Sequence, residues 1–175
     1  LDDRDGREPL TIYLDIDGVV TTAAFQRRAG QDRIDPASMA VVAALVRDLD
    51  GRIVVSSTWR VDDCRPTLVA AGLPPGCFHA DWRTAIPPSS RDPDTGGMLA
   101  AERAGRGGEI AEHAARNGIA RYLVLDDVDV GAGHEGRHVR PDPEAGLTEA
   151  DGALARDLVS RGDALRGAAR RGAAS

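Results

Sequence analysis

Two short apolar runs in this chain each end on clustered acids. Residues 11–15 read TIYLD and continue IDG, while residues 121–127 read RYLVLDD and continue VDV. Runs of this length, rich in β-branched and aromatic residues and bounded by polar segments, form buried strands. A third run, RIVVSS at 52–57, ends on hydroxyls. A strand that buries both faces cannot tolerate a charge along its length, so the acids must emerge where the strands stop. This pattern restricts the chain to folds in which several strands release polar groups at a common edge.

The intervening segments read as helices. Asp35 and Pro36 supply an N-cap and a first-turn proline, and Met39, Val42, Leu45 and Leu49 follow at helical spacing, which predicts a helix over 36–49. A second helix is expected over about 61–71, closed by Gly72, and a third over about 106–117, closed by Gly118. Thr148 with Asp151 three residues on resembles a capping box, opening a last helix to about residue 166. CFHAD at 77–81 is a candidate third strand and RHVR at 137–140 a candidate edge strand. The residues between Gly18 and Pro36 are expected to form a loop or small hairpin, and 86–98 (IPPSSRDPDTGGM) an exposed loop. Strands alternating with helices imply an α/β, Rossmann-like parallel sheet of about five strands with helices on both faces. Residues 1–9 read as a flexible arm, 10–166 as the folded domain and 167–175 as a disordered tail.

Charge narrows the function. The net charge of -6 argues against a nonspecific nucleic-acid or membrane coat, although residues 52–121 hold 9 arginines against 8 acids. No apolar run reaches the ~18 residues of a membrane span. Every basic residue is arginine, so mechanisms that need a lysine Schiff base or a P-loop lysine are excluded. Cys64 and Cys77 are too few for a disulfide scaffold, which favours a cytoplasmic setting. No obligate protein partner is evident.

In parallel sheets ligands bind beyond the carboxyl ends of the strands. Asp15 and Asp17, Ser56 and Ser57, and Asp126 and Asp127 would therefore converge, and so much buried negative charge calls for a cation. Hard oxygen donors suit Mg²⁺. An EF-hand reading of DIDG fails, because a strand precedes it and no glutamate stands at the twelfth position.

YLDIDGVV resembles motif I of the haloacid dehalogenase (HAD) superfamily, VVSSTWR its motif II, and VLDD its acidic motif IV. The combination of SSTWR with RGGEI, LDD and GLT is similar to the small HAD domains associated with RNA repair proteins. The resemblance spans roughly residues 10–165 and implies a phosphatase working through an aspartyl-phosphate. Asp15 would be the nucleophile, and Asp17 the general acid and then base, also lending Mg²⁺ its backbone carbonyl. Asp126 would complete the metal shell, with Asp127 binding through water or as a further ligand. Ser56 would hold the transferring phosphoryl group, assisted by the backbone N–H groups of Ser57 and Gly18.

The family's third motif is usually a lysine. Arg106, 20 residues before Asp126, is expected to replace it, with Arg103 as fallback. Trp59 is a candidate for stacking on a base and Arg60 for clamping a substrate phosphate. One of Arg27, Arg28 and Arg33 is expected to touch substrate from a flap. Asp129 and the four scattered histidines read as loop, surface or edge residues. The segments available for a cap are too short for a folded domain, so an open, capless site is expected, suited to a nucleotide or a phosphorylated nucleic-acid end. The alternatives are a phosphatase of small metabolites such as sugar phosphates, and a noncatalytic phosphate-binding domain.

Overall fold

The computed structural model describes residues 8–85 and 101–173. Five strands form one all-parallel sheet: β1 (Leu10–Leu14), β2 (Gly51–Val55), β3 (Phe78–Arg83), β4 (Tyr122–Leu125) and β5 (His138–Val139), in the order β3-β2-β1-β4-β5. The helices are α1 (Ala23–Ala29), α2 (Pro36–Asp48), α3 (Arg65–Ala70), α4 (Ala101–Arg116) and α5 (Glu149–Ala173). The chain winds outward from β1 to β3, then returns to β1's other side with β4. That reversal leaves a crevice at the carboxyl ends of β1 and β4, the place where sheets of this type bind ligands.

Strand alternation divides the core in two. Leu10, Ile12 and Leu14 point to one face with Ile53, Val55, Leu123 and Leu125, and meet Met39, Val42 and Leu45 of α2 and Ala155 and Val159 of α5. Tyr13, Val54 and Val124 point to the other face, against Ile110 and Ala114 of α4. Both faces are covered, which is why the strands read as nearly continuous apolar runs.

The caps follow the sequence. Asp35 accepts a hydrogen bond from the Ala37 amide at 2.9 Å ahead of Pro36. Thr148 and Asp151 cap each other reciprocally: the Thr148 amide donates to Asp151 at 2.8 Å and the Asp151 amide to Thr148 Oγ1 at 3.3 Å.

Four expectations need correction. The stretch after β1 is not a hairpin: it contains α1, capped by Thr22, whose hydroxyl accepts from the Phe25 amide. The helix expected over 61–71 is split into a 3₁₀ turn at Thr58–Val61 and α3, which restarts with Pro66 in its first turn. Helix α4 begins at Ala101, ahead of the expected 106. The tail is helical through Ala173, because α5 carries helix-favouring Ala and Arg and pairs such as Arg161 with Asp157. The loop expected at 86–98 lies outside the described residues, as does most of the N-terminal arm. Among the described residues no cap domain stands over the sheet, and no helix is long and apolar enough to cross a membrane.

Candidate active site

Strand register sets the site. Leu14 pairs with Val55 and with Leu125, and Val55 pairs with Arg83. Each strand continues the ladder for one further residue. The Asp15 amide donates to the Leu125 carbonyl (2.9 Å), Ser56 to Leu14 (2.9 Å), Thr84 to Val55 (3.1 Å) and Asp126 to Val139 (3.3 Å). Thr84, Ser56, Asp15 and Asp126 therefore stand side by side on one rung across four strands. Asp15, Ser56 and Asp126 follow Tyr13, Val54 and Val124 by two residues, which turns them to the α4 face. All four are buried.

Helix α4 closes this rung. Arg106 on its second turn is buried, with Nη1 3.1 Å from Asp15 and 3.0 Å from Asp126. Gly107 makes that approach possible, because a Cβ there would sit 1.7 Å from the Val130 carbonyl oxygen. His134 fastens the same contact, its Nε2 lying 3.0 Å from the Gly107 carbonyl. The side chain of Arg103 lies outside the described residues.

Carboxylate oxygens of Asp15, Asp126 and Asp127 lie within 4.8 Å of one another. Burial, and next the charge of Asp15, push the Asp126 carboxyl up to about 7, against the opposing pull of Arg106. Three carboxyl groups face one guanidinium, an imbalance that a divalent cation with oxygen preference fits. Gly18, at φ +78°, supplies the room for Asp127, since a Cβ there would meet Asp127 Oδ2 at 2.4 Å.

Asp17 is expected to reach the metal through its backbone carbonyl, and its side chain is engaged elsewhere. Its carboxylate is not among the converging oxygens; it accepts from Thr21 Oγ1 at 2.9 Å, Trp59 Nε1 at 3.2 Å and Thr58 Oγ1 at 3.4 Å. Only the backbone carbonyl remains for the metal role that the resemblance gives it. Ser56 and Ser57 are fully buried, and among the described residues neither hydroxyl has a hydrogen-bond partner; Thr84 Oγ1 shares that condition. Buried orphan hydroxyls in a row are suited to receive acceptor oxygens from a ligand.

Gly18 and Arg60 differ from expectation as substrate donors. The Gly18 amide donates to the Thr21 carbonyl at 3.0 Å, which closes the turn after β1 and occupies that N–H. Arg60 is buried and faces inward. It donates to the carbonyls of Ser56 (3.0 Å), Ser57 (2.7 Å) and Ala85 (3.2 Å), and pairs with Glu109 of α4 at 2.8 Å. It braces the motif II loop rather than clamping a substrate phosphate. Trp59, expected to stack on a base, packs its ring against the core and gives its N–H to Asp17.

Arg27 is paired with Glu144. Asp129 caps its own turn by accepting from the Gly131 amide at 2.8 Å. Two of the histidines are buried and not at the surface. His113 bonds Tyr13 through Nδ1 at 2.9 Å, and burial lowers its pKa; His134 bonds Tyr122 at 3.1 Å. Glu109, Thr84 and Gly107 are the residues that sequence reasoning missed. Only the unusual RGG at the opening of a helix offered a signal for the last of them.

The model of one protein family matches residues 11–152, the HAD domain in Swiss Army Knife RNA repair proteins. Among curated proteins and among solved structures nothing matches the chain.

Proposed function

The chain belongs to the family of HAD domains in Swiss Army Knife RNA repair proteins, and from that premise we propose that it is a Mg²⁺-dependent phosphomonoester hydrolase. The observation that carries this reading is the rung itself, a buried Asp15 and Asp126 bridged by Arg106 with Asp127 alongside. Asp15, Asp126 and Asp127 would hold the ion, which when bound supplies charge neutralisation for the phosphoryl oxygens. Asp15 attacks phosphorus, forming an acyl-phosphate bond while the ester P–O bond breaks. Asp17 gives its proton to the departing oxygen. It then takes a proton from water, which attacks phosphorus and releases inorganic phosphate and free Asp15. Arg106 and the hydroxyls of Ser56 and Ser57 balance charge on the transferring group.

The proposed substrate is a nucleotide or phosphorylated nucleic-acid end. The family description supports it, and so does the slight excess of arginine in residues 52–121. The acidic total confines recognition to an end. Cys64 and Cys77, buried and unbridged, fit a reducing compartment such as the cytoplasm.

The test is hydrolysis of p-nitrophenyl phosphate, sugar phosphates and 3′- or 5′-phosphorylated oligonucleotides, with Mg²⁺ and with excess EDTA. Turnover that needs the metal and favours oligonucleotide ends is expected. Full activity in EDTA, or preference for a sugar phosphate, refutes the metal or the substrate assignment respectively.

A further inference from the structure

The general acid of the proposed reaction lies two residues from the nucleophile, yet its carboxylate does not join the converging acids. Thr21 and the 3₁₀ turn at Thr58–Val61 hold it aside. Asp17 Oδ1 accepts both from Thr21 Oγ1 at 2.9 Å and from the indole N–H of Trp59 at 3.2 Å, whereas Oδ2 accepts, among the described residues, from Thr58 Oγ1 at 3.4 Å. The indole has little freedom, since its ring packs against the main core. The turn that carries it is braced by Arg60, whose guanidinium spans the carbonyls of Ser56, Ser57 and Ala85 and the Glu109 carboxylate.

We propose that Trp59, seconded by Thr58, is a positioning residue for the proton transfer made by Asp17, fixing the carboxyl so that Oδ2 carries the proton to the leaving oxygen. The inference rests on the phosphatase reading and goes beyond it by assigning the motif II turn a second task. Two donors saturate Oδ1 as an acceptor, so a proton on the carboxyl belongs on the less engaged Oδ2. Removing the indole N–H leaves Oδ1, among the described residues, held by Thr21 alone, so the carboxyl is less firmly fixed and its proton is misdirected in part of the population. The packing of the turn need not change for this to happen.

A group that delivers a proton matters most when the leaving oxygen is strongly basic. The experiment compares kcat/KM for phenyl phosphate, a poor leaving group, with that for p-nitrophenyl phosphate, a good one of nearly the same shape. Both are measured with Mg²⁺ for the wild type, Trp59→Phe and Thr58→Val. Trp59→Phe keeps the packed ring and deletes the donor. The expected result is a loss of about tenfold on phenyl phosphate relative to p-nitrophenyl phosphate, near the upper end of what one neutral hydrogen bond contributes. A smaller loss of the same selective kind is expected for Thr58→Val. If Trp59→Phe does not fold, Thr58→Val carries the same comparison alone. An equal loss on both esters, or no loss on either, overturns the assignment. A wild type that hydrolyses neither ester in Mg²⁺ refutes the phosphatase reading, and this inference with it.

Discussion

Two adjacent glycines on α4 should respond to alanine in opposite directions. Helix propensity alone assigns each Gly→Ala change a gain of up to about 1 kcal/mol. Gly108 is exposed and a Cβ there meets nothing within 4 Å, so Gly108→Ala should realise that gain. At Gly107 a Cβ would lie 1.7 Å from the Val130 carbonyl oxygen. Reaching even a 3.0 Å separation moves the helix or the loop by at least about 1.3 Å. Overpacking of that kind costs about 1–3 kcal/mol, which offsets or exceeds the propensity gain and leaves Gly107→Ala less stable by up to about 2 kcal/mol. In thermal unfolding the two variants should therefore differ by roughly 2–12 °C. The same displacement draws Arg106 away from Asp15 and Asp126, now 3.1 and 3.0 Å distant, and a shift of about 1 Å in a reacting group can reduce rate ~100-fold. Denaturation curves and p-nitrophenyl phosphate turnover of both variants provide the assay. A Gly107→Ala protein as stable and active as Gly108→Ala would show that the close seat of α4 has no role in placing Arg106.

Asp15→Asn should fold and lose turnover, because an amide cannot attack phosphorus; near wild-type rates in the purified variant would remove Asp15 as nucleophile. Arg106→Ala should cost more activity than Arg103→Ala, and Arg106→Lys should recover part of the rate, as measured by kcat on p-nitrophenyl phosphate. Equal small losses for both alanine variants would deny Arg106 the motif III role. Away from the site, hydrogen bonds first from Arg121 and then from Arg166 lower the Asp163 carboxyl from 3.8 to about 2. A depressed carboxyl stabilises the fold above its unfolded value, and that stability is lost as pH falls from about 4 to about 2. The shift corresponds to about 2 kcal/mol, which solvent screening at this partly exposed position reduces to about 1 kcal/mol. Asp163→Asn should therefore lower urea stability at pH 7 by that amount and by progressively less below pH 4. A difference independent of pH would contradict the ion-pair account.

The sheet and the rung were legible because burial imposes them on each strand separately. A strand buried on both faces must be apolar along its length and can place an acid only where it stops, as at Leu14–Asp15 and Leu125–Asp126. Residues whose position depends on partners distant in sequence were not legible. Arg60 looked like a phosphate clamp because an arginine beside a hydroxyl cluster is normally exposed; its inward turn depends on Glu109, 49 positions later. Helix α1 buries none of its residues, so it has no apolar stripe to read. It is held by Thr22, by amide contacts from Ala23 and Ala24 to the carbonyls of Pro143 and Glu144, and by Arg27 on Glu144. The indole of Trp59 was assigned to substrate because sequence gives a ring no direction.

The rung also divides the molecule into a working edge and a silent one. Every acid and hydroxyl with an assigned role follows the end of a strand, whereas the turns entering β2, β3 and β4 lie a full strand length away. At Pro75 and Gly76, just before β3, the chain is exposed, and nothing stands within 4 Å of a Cβ placed on Gly76. A reporter or a second folded domain spliced at that turn has open solvent to occupy and no ladder to shift. One residue added within β1, β2 or β4 would instead rotate an acid or a hydroxyl to the opposite face of the sheet. For anyone grafting this domain into a larger assembly, the entry turns are the attachment points and strand length is the dimension to preserve.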